Sequence, residues 1–430
     1  MRQMAYPRMA LVGQRLYGRE LTNLSARLRS QLERSGLHLR VKPGASIAVT
    51  AGSRGIHDLV PILRGTVEFL HEAGAKPFVM PAMGSHGGAT AEGQLQLLES
   101  LGVTEASVAA PIRSSMEVVR IAEADGAPVY MDRNAWESDG VVVLNRVKPH
   151  TDFRGPHESG IVKMIVIGLG KRQQPEYVHS YGTRGLRELI PTLARATLAT
   201  GKIIGAIAVS ENGYGRTADL VAVPPEEVLE TDRRLLAAAK RHHPRLPFNE
   251  IDILVVDWLG KEISGAGMDT NVLGRLRIGT EPWMRSPRIG TIIVLDVTDA
   301  SHGNAVGLGL ADITTQRLID RTDRHATLTN TIVSTFLERG FTPLVYPTDK
   351  DALDAAISLH RATPPEQLRV VRIRSTMHLE RMWVSEALAA NLPSNARLLA
   401  PPRPLEFAQD GRFPQDELYA DTGEATTRCQ

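Results

Sequence analysis

Across 430 residues the chain has one cysteine, Cys429. A lone thiol excludes an internal disulfide framework, a zinc ribbon and an iron–sulfur site, so any metal must rest on histidine, carboxylate or a bound cofactor. No stretch reaches the roughly 18 apolar residues of a membrane span, and the opening MRQMAYPRMALVGQRLYGRE lacks the apolar core of a signal peptide. A cytoplasmic protein with no membrane partner is the expectation. Charge of one sign is not in excess either: 50 Lys and Arg against 48 Asp and Glu give a formal net charge of +2, which offers no electrostatic case for a nucleic-acid partner. Walker and GxGxxG fingerprints are missing, as are the HxH and HExxH spacings of protein-only metal sites and any repeat of about 20 to 50 residues.

What is present reads as a globular α/β protein. The length exceeds one ordinary core and predicts two domains. Leucines 21, 24, 28 and 32 have helical spacing, and Ser46-Ile47-Ala48-Val49-Thr50 then reads as a buried strand ending at Ala51-Gly52-Ser53-Arg54-Gly55. A helical pattern through Leu59, Ile62, Leu63, Val67 and Leu70 leads to a second strand, 76–80, which stops at Pro81-Ala82-Met83-Gly84-Ser85-His86-Gly87-Gly88 before another helix near Thr90. A third strand, 140–144, delivers the chain to Pro149-His150, and 203–209 is a fourth. This alternation predicts a parallel sheet with ligands beyond the carboxyl ends of its strands, where glycine turns let backbone amides cradle an anion.

Strands at 251–256, 292–295 and 343–347 predict a second α/β domain after the polar, proline-containing segment 241–248. The expected organisation is two α/β domains with mainly parallel sheets and the active site in the cleft between them. The first covers 1–245, the second 246–400, and 401–430 is a poorly ordered tail.

The chemistry concentrates in LNRVKPHTDFRGPHESGIVKMIVIGLGKRQQPEYVHSY, residues 144–181. It gathers His150, His157, Lys163 and His179 around the apolar run Ile161-Val162-Lys163-Met164-Ile165-Val166-Ile167. Burial lowers a lysine's pKa by penalising the ammonium, the usual route to a nucleophilic or anchoring lysine, and flanking imidazoles supply a metal ligand and a proton acceptor. His86 stands among small residues that expose it. Arg54 has the planar fork for a carboxylate. His157 reads more readily as a loop histidine, and Lys261, in a glycine-rich loop, could bind an anion or simply be solvated.

Taken together, Gly52-Ser53-Arg54, Gly84-Ser85-His86, Pro149-His150, Lys163 and His179 resemble the nickel-pincer nucleotide-dependent lactate racemase family, well over 45–220 and more faintly beyond. Sixteen positions separate Lys163 from His179, similar to the family's spacing of cofactor-bearing lysine and nickel ligand. The resemblance implies a pyridinium-3-thioamide-5-thiocarboxylic acid mononucleotide attached covalently at Lys163, with nickel held by the cofactor's carbon and sulfurs and by His179. It further implies cofactor-binding turns at Gly52, Ser53, Gly84 and Ser85, catalytic bases at His86 and His150, and carboxylate binding by Arg54 and Lys261. The reaction implied is racemisation or epimerisation of a 2-hydroxy acid by hydride transfer, with cofactor-biosynthesis proteins as partners. The polar segment between His150 and Lys163 suits an acid larger than lactate, such as a sugar acid.

Two other readings stand beside it. One is a conventional divalent-metal hydrolase or lyase using His86, His150 and His179. The other is a non-catalytic nucleotide-binding protein.

Overall fold

The computed structural model describes residues 5–53, 55–282, 284, 286–414 and 417–419. It divides into two compact units: Tyr17–His243, and a second in which Met1–Leu16 joins Pro244–Gln430. Both are α/β with mostly parallel sheets.

In the unit Tyr17–His243, four strands run parallel in the order Lys76–Pro81, Ser46–Ala51, Gly140–Arg146, Ile203–Glu211, and Thr217–Val223 closes one edge antiparallel. Valines at the sheet centre stand opposite one another, Val49 beside Val79 and Val142. Strand alternation sends Ile47, Val49, Val142, Leu144, Ile207 and Val209 to one face. There they meet Leu28 and Leu32 of the helix Leu24–Arg34, and Leu63, Val67 and Leu70 of the helix Leu59–Glu72, in one fully buried core. Because the strands are parallel and adjacent, the turns after Ala51, Pro81, Arg146 and Glu211 all fall at one edge of the sheet. That is the topological reason why residues scattered from 52 to 150 become neighbours.

Two elements of this unit carry signals that the hydrophobic reading passed over. The strands Val118–Ala124 and Ala127–Asp132 form an antiparallel hairpin whose turn, Asp125-Gly126, has φ of +50° and +75°. An Asp-Gly pair is the residue chemistry such a turn demands. The helix Val228–His242 buries Val228, Thr231, Asp232, Leu235 and Leu236 along one face.

The second unit contains an eight-stranded sheet. Leu344–Tyr346, Ile313–Thr315, Arg288–Val297, Glu250–Leu259 and Val370–Ile373 run parallel, followed by Arg381–Ser385, Met9–Gln14 and Ala396–Arg403 in antiparallel pairing. Two expected boundaries change accordingly. The first domain starts at residue 17, because Met9–Gln14 is a strand of the other sheet, paired on both sides and nearly all buried. Nor is the described part of the expected tail loose. Leu418 is buried against Leu353, Val370 and Trp383, with Phe407, Phe413 and Tyr419 beside it. The N–H of Phe413 donates to Asp349 at 2.9 Å, and the Tyr419 hydroxyl donates to Asp257 at 2.6 Å. Widely spaced apolar residues anchor what composition alone describes as a polar tail.

Leu418→Ala is therefore expected to destabilise the chain by about 2 kcal/mol or more, the cost of a buried leucine cavity. The measurement is the urea midpoint of unfolding; an unchanged midpoint would mean that Leu418 packs against nothing.

Candidate functional site

The segment between the strand Gly140–Arg146 and Lys163 is held by two buried carboxylates. Glu158, 1% exposed, accepts the N–H of His150 at 2.8 Å and of Gly155 at 3.0 Å, and pairs with Lys240 at 2.6 Å. Asp232, also 1% exposed, sits 3.0 Å from His157 Nδ1 and accepts the N–H of Val162 at 3.2 Å. Gly160 lies directly over Asp232: a Cβ there would come within 2.0 Å of its Oδ2. His157 thus closes the loop, as its sequence context suggested.

This fixes His150. Its ring is buried against Phe153, centroids 4.9 Å apart, and its Nδ1 accepts the backbone N–H of Asp152 at 3.1 Å. A backbone N–H can only donate, so the single hydrogen of the neutral ring is on Nε2. Burial, with the Lys163 charge second, holds the imidazole well below its ordinary range, so neutral is its form. Nε2 lies 2.6 Å from Lys163 Nζ. The contact sets the amine of Lys163 directly against this neutral ring.

Lys163 ends the short turn Ile161–Lys163, and the chain widens into a π-helical turn, Met164–Gly168. The apolar run is therefore helical, with its neighbours Ile161, Val162, Met164 and Ile165 buried and Lys163 itself only partly so. Such wide turns recur where a helix presents a functional side chain. Further along, His179 closes the helix Gln173–His179, and its Nδ1 is buried with no hydrogen-bond partner among the described residues. Burial, then the Lys163 charge, push its pKa down to about 4, with Asp152 opposing. An imidazole kept neutral with one open nitrogen is the state that ligates a metal.

The glycine turns close on this helical stretch. A Cβ on Gly52 would meet Met164 Cε at 3.0 Å, and Asn145, just before the loop, donates to Gly160 O at 2.8 Å. Gly84, at φ +59°, donates to Gly168 O at 3.3 Å, and a Cβ there would press on Ile167 O and Pro175 at 3.2 Å. Ser85 and His86 follow, both exposed. His86 Nδ1 is 2.7 Å from Met83 O, which makes Nδ1 the donor and leaves the ring's lone pair on Nε2.

The structure thus gathers Gly52, Ser53, Gly84, Ser85, His86, His150, Lys163 and His179 around one sheet edge and the helical stretch beyond it. Arg54 lies outside the described residues. Lys261 belongs to the other unit, where its ammonium holds its own loop through Gly265 O at 2.7 Å and Asn330 Oδ1 at 2.8 Å. Among the described residues no group of three His, Cys, Asp or Glu side chains is placed to hold a metal ion, so the three histidines do not form the shared site that a conventional metal hydrolase needs.

Sequence reasoning missed Lys171, which has no exposed surface. Its Nζ reaches Pro81 O at 2.6 Å, Gln94 Oε1 at 3.0 Å and Asp132 Oδ2 at 3.1 Å, and both Asp132 and Gln94 are fully buried too. One cue was in the sequence, since Lys171 lies midway between Lys163 and His179.

The fold is that of an α/β protein with its candidate site at the carboxyl edge of a parallel sheet. Its architecture is similar to that of the lactate racemase apoprotein from Thermoanaerobacterium thermosaccharolyticum, with a TM-score of 0.50 over 80% of this chain and 90% of that one. Sequence identity is 14%, so the likeness is one of fold. No family model matches the chain, and no curated protein does. No helix among the described residues is long and apolar enough to cross a membrane.

The pKa of His179 gives a signed expectation for the stability of the chain. Between the unfolded value near 6.5 and the folded value of about 4, the unfolded ring binds a proton that the folded ring refuses. Stability is complete above pH ~6.5 and falls as the pH drops toward ~4, with His179 contributing roughly 3 kcal/mol. Urea titrations at pH 7 and 4.5 should show a loss that His179→Gln reduces by about that amount. Equal losses in the two proteins would show that the ring is not held neutral.

Proposed function

We propose that the chain is a racemase or epimerase of 2-hydroxy acids, related to the nickel-pincer nucleotide-dependent lactate racemases, with its cofactor carried on Lys163. The observation that carries this reading is the contact between His150 Nε2 and Lys163 Nζ at 2.6 Å, on the helical stretch that also bears the buried Nδ1 of His179, which has no hydrogen-bond partner among the described residues. An amine held against a neutral imidazole is placed for attachment to a thiocarboxylate. A single open imidazole nitrogen, with no three-residue metal cluster among the described residues, suits a nickel ion that brings its remaining donors in the cofactor.

When bound, the cofactor supplies a hydride acceptor. The rest falls to the chain. Lys163 holds the cofactor and His179 ligates the metal, while the turns at Gly52-Ser53 and Gly84-Ser85 offer backbone amides to anionic groups. His86, with a lone pair on Nε2, takes or returns the substrate hydroxyl proton on one side. On the other side His150, whose hydrogen is on Nε2, donates a proton there, and it accepts one at Nε2 only in the other tautomer, with the Asp152 N–H released from Nδ1. Acylation of Lys163 would remove its amine as the partner of His150 Nε2. Two bases on opposite faces are what inversion requires. Arg54 is assigned the substrate carboxylate. Lys261 shapes its loop, and a direct role would require it to leave Gly265 and Asn330.

The test is co-expression with pincer-cofactor biosynthesis proteins and nickel, followed by an intact mass spectrum and peptide mapping. A sulfur-rich mononucleotide adduct is expected on Lys163, absent in Lys163→Ala. An unmodified lysine, where a lactate racemase is loaded in parallel, would sink the proposal. On loaded protein, His86→Ala and His150→Ala should each slow interconversion of the substrate enantiomers by about 10²- to 10⁴-fold, the usual worth of a general base. Chiral chromatography of a panel of 2-hydroxy acids reads this out.

A further inference from the structure

Lys171 and Gln94 have no part in the chemistry just described, yet they are among the most completely buried polar side chains of the chain. Lys171 Nζ donates to Pro81 O and Gln94 Oε1 and forms an ion pair with Asp132 Oδ2 at 3.1 Å. The contact with Gln94 settles which end of that amide is which. Only an oxygen can accept from an ammonium, so Oε1 faces Lys171 and Nε2 faces the opposite way. There Nε2 donates to the carbonyl of Gly84 at 2.9 Å and to that of His86 at 3.2 Å, using both its hydrogens.

We infer that Lys171 and Gln94 are positioning residues that hold the turn 84–86 and, through it, fix the tautomer and orientation of the His86 ring. The chain of contacts is continuous. Asp132 and Pro81 O fix the ammonium, which orients Gln94, and Gln94 binds the carbonyls on both sides of Ser85. The shape of that turn places Met83 O 2.7 Å from His86 Nδ1. The turn also lies flat on the start of the helix Ala91–Ser100, since a Cβ on Gly87 would meet the backbone of Gly93 and Gln94 at 2.6 to 2.7 Å. Lys171 sits at φ +49°, between the wide helical turn after Lys163 and the helix ending in His179. One ammonium thereby ties the proton-handling turn to the segment bearing the proposed cofactor lysine and metal ligand. The importance of this tie for catalysis rests on the assignment of His86 as a base, but its physical existence does not.

The experiment is therefore done on the cofactor-free full chain, by 15N-histidine NMR, with the His86 signals assigned from their absence in His86→Gln. In the native protein His86 should show the pattern of a ring protonated at Nδ1. Gln94→Glu keeps an acceptor for Lys171 but removes both donors to the turn, and should abolish that pattern while the far-UV spectrum and the melting transition persist. The double variant Lys171→Met/Asp132→Asn removes the two buried charges together, leaving neither unpaired, and should have the same effect. Loss of the Nδ1–H pattern in a folded variant supports the inference. Retention of it in either folded variant overturns it, whatever the outcome of the cofactor-loading experiment. A simple structural role would lower the melting temperature without changing the tautomer.

Discussion

Two carboxylates with almost no surface, Glu158 and Asp232, decide what the central segment can do. Left unpaired, each would cost several kcal/mol in desolvation, so the chain around them has to supply donors. It does so with backbone N–H groups at His150, Gly155 and Val162, with the Lys240 ammonium and with the His157 ring. The loop between strand and helix is thus determined at both ends. His150 is fixed by its own backbone and Lys163 by the first turn after Gly160, so the meeting of their side chains follows from buried electrostatics and not from any attraction between two bases.

The same accounting explains the protonation states. His150 and His179 are buried close enough to Lys163 for its charge to weigh on both, and Asp152 alone opposes it among the named causes. A cluster with more bases than carboxylates stays neutral when water is excluded. Neutral imidazoles keep a lone pair, so burial, which ordinarily selects against polar groups, here preserves two of them. The buried Lys171 shows the contrast: burial lowers its pKa, Asp132 opposes that shift, and with two further oxygens around it the group serves structure.

Much of this was legible in the sequence because it rests on period and punctuation. The strands ending at Ala51, Pro81 and Arg146 announce themselves as short apolar runs that stop at glycine or proline, and parallel topology then brings Gly52, Gly84 and His150 to one edge. The partners were not legible. Asp232 lies 75 residues from His157, and Asp132 and Gln94 meet Lys171 from a hairpin and a helix whose contact no local pattern encodes. The strand Met9–Gln14 was missed for a related reason, as it finds its neighbours only near residues 381 to 403. Local signals predict elements; the satisfaction of buried charge is a property of the whole fold.

That distinction also alters the argument about substrate size. The polar residues between His150 and Lys163 suggested a larger, hydroxylated acid, on the premise that they face a ligand. In the structure Glu158 and His157 are committed to the loop itself, Arg154 donates to the carbonyls of His150 and Phe153 at 2.7 and 3.0 Å, and Thr151 donates to Asp152 at 2.8 Å. These groups stiffen the scaffold under His150. Side chains engaged in this way serve the loop, so their polarity alone is no measure of substrate size. What this segment does determine is the position of the His150 ring, held by Glu158 at its backbone and by the Asp152 N–H at Nδ1.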